Sequence, residues 1–254
     1  WTVIKNPTLS IYAYCQHLQL DDMPILPDHL KITDIPKMEN DEVADLMARF
    51  EPLVKHFNRY LTIGGFPELA LSDDDLYAQR MLREDVVDKV IKRDVLTLFK
   101  VRSPLLTEKL FLYLCMNSTE IFSATTAAKE LANISPNTIE SYVDALVKSN
   151  FIYMAYPIAV GSKSVLKGRP KIYIADAAIR NAVLMVDDVL SDERELGLLI
   201  ETTVYKHLVS FYQGTGAQRG YNRKAKENQI EGDAVIELPQ QKILCEVKYK
   251  NNSH

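Results

Sequence analysis

Glu231–Lys250 reads EGDAVIELPQQKILCEVKYK, and the fold of the chain turns on it. Two short apolar runs, Ala234–Leu238 and Ile243–Val247, flank Pro239-Gln240-Gln241. β-branched runs broken by a Pro-containing turn predict a β-hairpin. Asp233 opens the first run, and Glu246 and Lys248 lie two apart in the second. In a strand, residues two apart share a face. Glu246 and Lys248 are therefore expected on one side and Cys245 and Val247 on the other. An acid on one strand and acid-x-Lys on its neighbour can converge on one spot. Two carboxylates suit a hard divalent cation such as Mg²⁺, and an adjacent lysine can orient a water or stabilise developing phosphoryl charge. The same letters also suit the exposed face of an amphipathic strand, where such a pair stabilises little.

Acid, hairpin, then Glu-x-Lys resembles the PD-(D/E)xK nuclease-like superfamily, here as Gly232-Asp233 and Glu246-Val247-Lys248. In that superfamily a helix ahead of the hairpin carries a further Glu. Gly197–Tyr212 reads as a helix through Leu198, Leu199, Val204, Tyr205, Leu208, Val209 and Phe211, with Glu201 inside it. A carboxylate within an apolar helix needs solvent or a partner, because burying it unpaired is costly. Glu201 either faces solvent or caps a strand, or it faces the hairpin and completes an acid cluster. The resemblance implies the cluster. Asp233 and Glu246 would hold Mg²⁺, Glu201 would support them and Lys248 would orient the attacking water.

The 254 residues suffice for one large domain or for two to three small ones. With a net charge of −4 the chain lacks a global basic field, so any nucleic-acid contact must be local. Cys15, Cys115 and Cys245 lack metal-ligand spacing and sit in apolar runs. They read as reduced thiols, which points to the cytoplasm. No apolar run reaches the length of a membrane span, so no membrane partner is expected. The sequence opens on Trp1 without an initiator Met, as a piece of a longer protein would.

Ser10 is a plausible cap for a helix through Tyr12, Tyr14 and Leu18. The Pro- and Asp-rich residues 21–40 read as a loop. Asn40–Tyr60 repeats apolar residues at three and four, with Pro52 splitting the helix. Gly64-Gly65-Phe66-Pro67-Glu68 then allows a tight reversal into another helix. Pro7-Thr8-Leu9-Ser10 followed by Gly64–Glu68 is similar to the end of the ATPase module in a family of prokaryotic AAA-type P-loop ATPases. The first element is one residue longer than that family's Pro-Leu-Ser, and Arg93-Asp94 matches the end of its lid-to-C-terminal helix. There is no G-x-x-x-x-G-K-[ST] in the sequence. ATP therefore belongs to the parent protein and is not expected to bind this chain.

Leu76–Lys100 reads as a long helix with mixed charges, which favour a solvated face. Ser103-Pro104, Ser123 and Ser135-Pro136 start three more helices. Strands Phe151–Val160 and Lys171–Ala175 follow, joined by the Gly- and Lys-containing Gly161–Pro170. Three helices and a hairpin are the order of a winged helix. The third helix, Pro136–Lys148, turns Asn137, Glu140, Ser141, Asp144 and Lys148 outward. Two acids there repel phosphate, so a spacer or protein-contact role suits this helix better than groove reading. The wing carries Lys163, Lys167, Arg169 and Lys171. Gln213–Asn228 is a loop or strand edge with Arg219, Arg223 and Lys224 around Tyr221. Lys163, Lys167, Arg169, Arg219, Arg223 and Lys224 are the candidate nucleic-acid contacts. Lys171-Ile172-Tyr173-Ile174-Ala175-Asp176 leads into a further helix, Ala177–Met185, and matches the ATPase family's strand-Asp-helix order.

The expected fold is α+β mixed, in four parts. Residues 1–78 form the ATPase C-terminal part and helical lid, 79–102 a linking helix, 103–170 a winged helix and 171–254 a nuclease-like domain. The expected function is the C-terminal part of a DNA-associated AAA-type ATPase with a Mg²⁺-dependent phosphodiesterase site. The alternative is a non-catalytic module that binds protein or nucleic acid under the control of an ATPase domain outside this chain.

Overall fold

The hairpin forms where the apolar runs place it. Strand β4 covers Gly232–Leu238 and β5 covers Gln241–Cys245, with Leu238 opposite Gln241 across the turn Pro239-Gln240. The structure, a computed structural model, describes residues 8–25, 30–89, 91, 95, 103–131, 134–158, 168–186, 188–222 and 232–249.

Among the described residues, helices come first along the chain. They are α1 (Ile11–His17), α2 (Asn40–Phe50), α3 (Val54–Ile63), α4 (Pro67–Ala70), α5 (Asp75–Met81), α6 (Pro104–Met116) and α7 (Ala124–Glu130). Then come α8 (Pro136–Lys148), β1 (Ile152–Pro157), β2 (Lys171–Ile174), α9 (Ala177–Leu184), α10 (Glu193–Phe211) and β3 (Gln218–Asn222). Helices with a mixed five-stranded sheet make the chain an α+β protein.

The helix starts follow side-chain chemistry. Ser10, Ser103, Ser123 and Ser135 each accept a backbone N–H of the first turn. Pro52 sits in a 3₁₀ turn, Glu51–Leu53, that separates α2 from α3. Beyond α5 the helix widens to a π-helix over Leu82–Asp88.

The strand order is β2-β1-β3-β4-β5. β1 pairs antiparallel with β2 on one side and parallel with β3 on the other. A parallel pair needs a long crossover, and β2, α9 and α10 supply it. The parallel contact joins Tyr156 and Pro157 to Gly220 and Tyr221. A Cβ at residue 220 would collide with the Tyr156 carbonyl, so the close approach needs glycine.

The alternation along β1 and β2 splits the core in two. Ile152, Ile172 and Ile174 pack into a helical core with Phe111, Ile139, Leu146 and Phe151. Ala155 and Tyr173 face the other way, into a core with Tyr205 and Leu208 of α10 and Ala234 and Ile236 of β4. The β1–β2 pair is thus covered on both faces.

Three expected boundaries move. α10 starts at Glu193 rather than Gly197, because Asp192 accepts the N–H groups of Arg194 and Glu195. Acids in that first turn suit the positive end of the helix dipole. Gln218–Asn222 is an interior strand between β1 and β4 rather than a loop or edge. β5 ends at Cys245, short of Glu246 and Lys248, because Val247 N–H donates to Asp233 Oδ2 at 2.9 Å instead of to a ladder carbonyl. The expected loop Gly161–Pro170 lies outside the described residues except for 168–170, as do Arg93-Asp94 and most of 90–102.

Candidate functional site

Two carboxylates and one ammonium meet at the end of the sheet, under α10. Lys171 and Tyr173, two apart on β2, present their side chains on the face that α10 covers. Lys171 Nζ lies 3.2 Å from Glu201 Oε1 and 3.3 Å from Asp233 Oδ1. Tyr173 OH donates to Glu201 Oε1 at 2.8 Å and lies 3.1 Å from the Asp233 carbonyl oxygen. Glu201 comes from the middle of α10 and Asp233 from the start of β4, with side chains 18% and 22% exposed. Glu201 therefore faces the hairpin and not solvent.

Burial sets the electrostatics of the cluster. It pushes the Glu201 carboxyl above its ordinary value, against the opposing pull of Lys171 and the Tyr173 hydrogen bond. Burial draws the Lys171 ammonium down, but Glu201 and Asp233 outweigh it and raise it above the ordinary lysine value. Burial and the neighbouring Glu201 both push the Tyr173 phenol up, so it stays a neutral donor.

Glu246 and Lys248 stand apart from this cluster. They pair with each other at 3.1 Å, with side chains 47% and 68% exposed. Their shared side is the one that their spacing predicts. The last ladder pair is Ala234 with Cys245, so one more step of the same register would set Glu246 opposite Asp233. Among the described residues no three His, Cys, Asp or Glu side chains are gathered as metal ligands. Glu201 and Asp233 nonetheless aim at one cation position, and Mg²⁺ is commonly held by one or two carboxylates plus waters. In this structure the Lys171 ammonium stands at that position.

The basic candidates divide. Arg169 precedes β2, where its carbonyl accepts Tyr221 OH at 2.8 Å. Arg219 on β3 donates from Nη1 to the Val209 carbonyl at 3.0 Å. Both line one cavity. Lys163, Lys167, Arg223 and Lys224 lie outside the described residues.

Sequence reasoning missed two partners. Lys171 reads as part of the basic wing, and only the Lys-x-Tyr alternation marks it as facing α10. Lys206 went unnoticed although Leu199, Thr202, Thr203 and Lys206 fall on one buried helix face. Its Nζ meets Asp176 Oδ2 at 2.6 Å, Tyr60 OH at 2.5 Å and the Leu9 carbonyl at 3.1 Å. The ion pair ties the N-terminal segment to α9 and α10. Cys15 and Cys115 are buried free thiols, and Cys245 is a half-buried one. No helix among the described residues is long and apolar enough to cross a membrane.

Fold and site define an α+β chain with a carboxylate–lysine cluster beneath α10. Residues 54–190, more than half of the chain, match a domain of unknown function, DUF8612, and the chain belongs to that family. It is similar to two uncharacterized proteins of Methanocaldococcus jannaschii. MJ1544 is 25% identical over 190 residues, 72% of this chain and 40% of that protein. MJ1637 is 28% identical over 199 residues, 77% of this chain and 40% of that protein. The chain thus spans about 40% of the length of these relatives. No solved structure matches it.

Proposed function

We propose that this chain is the C-terminal part of a cytoplasmic, DNA-associated AAA-type P-loop ATPase, and that Glu201 and Asp233 form a nuclease-type cation site. The observation that carries the site is the convergence of two partly buried carboxylates, from α10 and β4, on one cation position. The turn Gly64–Glu68, the α6–α8 helices followed by the β1–β2 pair, and the Asp233/Glu246-x-Lys248 hairpin support the parentage in the order that the ATPase family has them. On this reading α6–α8 with β1–β2 is a winged helix, and the sheet with α10 is a PD-(D/E)xK-type domain.

A bound Mg²⁺ would polarise a phosphoryl oxygen and lower the pKa of a coordinated water. The protein's own part is local. Glu201 and Asp233 hold the positive charge, and Tyr173 fixes Glu201 by its hydrogen bond. Lys248, exposed and paired with Glu246 apart from the cluster, would supply the charge that meets a phosphate or an attacking water. Arg169 and Arg219 supply local positive charge to a chain that is acidic overall.

A second reading has its own observation. The Lys171 ammonium already stands between the two carboxylates and balances them without a metal. On that reading the cluster is a structural tie in a non-catalytic module that binds protein or DNA. The two separate in a cleavage assay on plasmid and single-stranded DNA with Mg²⁺ or Mn²⁺. Nicking by the wild type that Asp233→Asn and Lys248→Ala abolish supports the nuclease. Identical products from all three proteins rule out the proposed chemistry and leave the module.

A further inference from the structure

A cavity of about 860 Å³ lies over β1, between α7–α8 and the C-terminal half of α10. That size is within the range of small-ligand sites, roughly 300–1,000 Å³. Its charged lining comes from two sides. Glu140 and Asp144 reach it from α8, and Arg169 and Arg219 from the sheet. Tyr153 of β1 and Tyr205 of α10 add two phenols to the lining. None of the Glu201–Asp233–Lys171 cluster lines it.

Tyr205 is the telling residue. It is 2% exposed, stacked on Tyr173 with ring centroids 4.0 Å apart. Among the described residues its hydroxyl has no hydrogen-bond partner. That oxygen is not sealed within protein, so the space it meets is the cavity. The Tyr153 ring centroid lies 6.4 Å from that of Tyr205, and the Tyr153 hydroxyl likewise has no hydrogen-bond partner among the described residues. A buried phenol stays unpartnered only at a cost, so a water or a ligand is expected against it.

The third group is Arg219. One of its nitrogens is fixed on the Val209 carbonyl, which holds the guanidinium in place and leaves its other N–H groups. Its charge acts on both phenols. Burial pushes the Tyr205 phenol up and Arg219 opposes it. Burial, with Asp176, pushes Tyr153 up to about 12, again against Arg219. Both phenols are therefore neutral O–H donors at neutral pH. Two such donors and a guanidinium lining one cavity are the groups that bind an oxyanion. The α8 side sets what else fits. Asp144 is paired with Lys148 at 2.5 Å, whereas Glu140 has no partner among the described residues. A free carboxylate repels an extended polyanion but accepts from amine or hydroxyl groups.

The geometry points to a binding site for a phosphate monoester with an amine- or hydroxyl-bearing body, a nucleoside monophosphate, held by Tyr153, Tyr205 and Arg219. Such a group exists free or as the 5′ end of a nucleic-acid strand. The site shares none of the residues that would hold the cation; Arg219 alone also serves the proposed nucleic-acid contacts.

Calorimetric titration of the full chain tests it with four probes. They are 5′-dAMP, adenosine, a 5′-phosphorylated hexathymidylate and the same strand without its phosphate. The expected result is binding that needs the phosphate, with adenosine at least about tenfold weaker than 5′-dAMP. Tyr153→Phe, Tyr205→Phe and Arg219→Gln should each weaken it by about tenfold. The Phe variants keep the ring packing and should keep the melting temperature, which separates lost donors from lost fold. Binding of both phosphorylated probes supports a site open to free nucleotides, and binding of the phosphorylated strand alone identifies the strand end. If neither phosphorylated probe binds, or if all three variants bind as the wild type does, the site is overturned. Either outcome leaves the cleavage result untouched.

Discussion

Lys206→Met should be among the most damaging single substitutions in this chain. Asp176 and Lys206 form an ion pair whose side chains are each 2% exposed. The lysine spends its donors on Asp176, Tyr60 and the Leu9 carbonyl. Methionine fills most of the volume and removes the charge, so Asp176 is left as a buried carboxylate. It keeps Thr8 Oγ1 at 2.5 Å, Gly65 N–H at 3.2 Å and Ala178 N–H at 3.0 Å. Breaking a buried pair costs about 3–5 kcal/mol, and the remaining donors place this case toward the lower end. For a chain of this size, each kcal/mol moves the melting temperature by about 2–4 °C, so a loss of roughly 6–16 °C is expected. Urea unfolding at pH 7 measures the free energy directly. Asp176→Asn with Lys206→Met removes both charges, and the double variant should be less damaged than the two singles summed, by at least about 1 kcal/mol. The pH dependence has a definite sign. Burial pushes Asp176 up, but Lys206 and the hydrogen bonds outweigh it and hold the carboxyl below its ordinary value. Its contribution is therefore full above the unfolded Asp value, about 3.9, and is lost as pH falls through the folded one. Additive single-variant losses, or a Lys206→Met loss below about 1 kcal/mol, would refute the reasoning.

Lys171→Met should leave Glu201 and Asp233 facing each other without a cation. Mg²⁺ or Mn²⁺ should then raise the melting temperature of the variant more than that of the wild type, and an equal rise in both would show that the ammonium does not fill the cation position. Glu201→Gln should steepen the acid limb of the stability curve by removing a contribution that opposes it. With the folded Glu201 value raised, stability falls as pH rises from the unfolded value, about 4.3, toward the folded one. Urea midpoints across that range check the slope. Gly220→Ala should cost about 1–3 kcal/mol by forcing a Cβ against the Tyr156 carbonyl, with hydrogen exchange at β1 and β3 rising first.

Much of the fold was written in local chemistry. The hairpin needed only two apolar runs and Pro239-Gln240 between them. Four helix starts needed only a serine at the cap, and the break between α2 and α3 only Pro52. What escaped depends on pairings distant in sequence. β3 has five residues, one of them Gly220, and no strong run of its own. It becomes an interior strand because β1 and β4 flank it. The candidate site shows the same division. The residues alone left the facing of Glu201 open, and the nuclease-like resemblance implied that it turns toward Asp233. The ammonium between them was not legible, because Lys171 is 30 residues from Glu201 and 62 from Asp233. Lys206 was hidden for the opposite reason. A lysine in a helix is usually read as solvated, and its partner Asp176 reads locally as a helix cap.

The β1–β2 pair joins the two halves of the proposed function mechanically. On its helical face it is packed by α6 and α8 through Ile152, Ile172 and Ile174. On its other face Ala155 and Tyr173 lie in the core under α10, and Lys171 and Tyr173 themselves hold Glu201. The chain partition drawn at residues 170 and 171 falls between these two strands, yet they pair over four residues. A winged helix built on β1–β2 would therefore share its strands with the carboxylate site instead of being tethered to it. Shifting β2 by one residue would carry Lys171 and Tyr173 to the opposite face, because side chains alternate with period two. It would also drive Ile172 and Ile174 out of the helical core. No small or graded displacement of the wing can leave both the core and the acid cluster intact. Any signal from the α6–α8 helices to Glu201 must then be transmitted by motion of the pair and its two cores together.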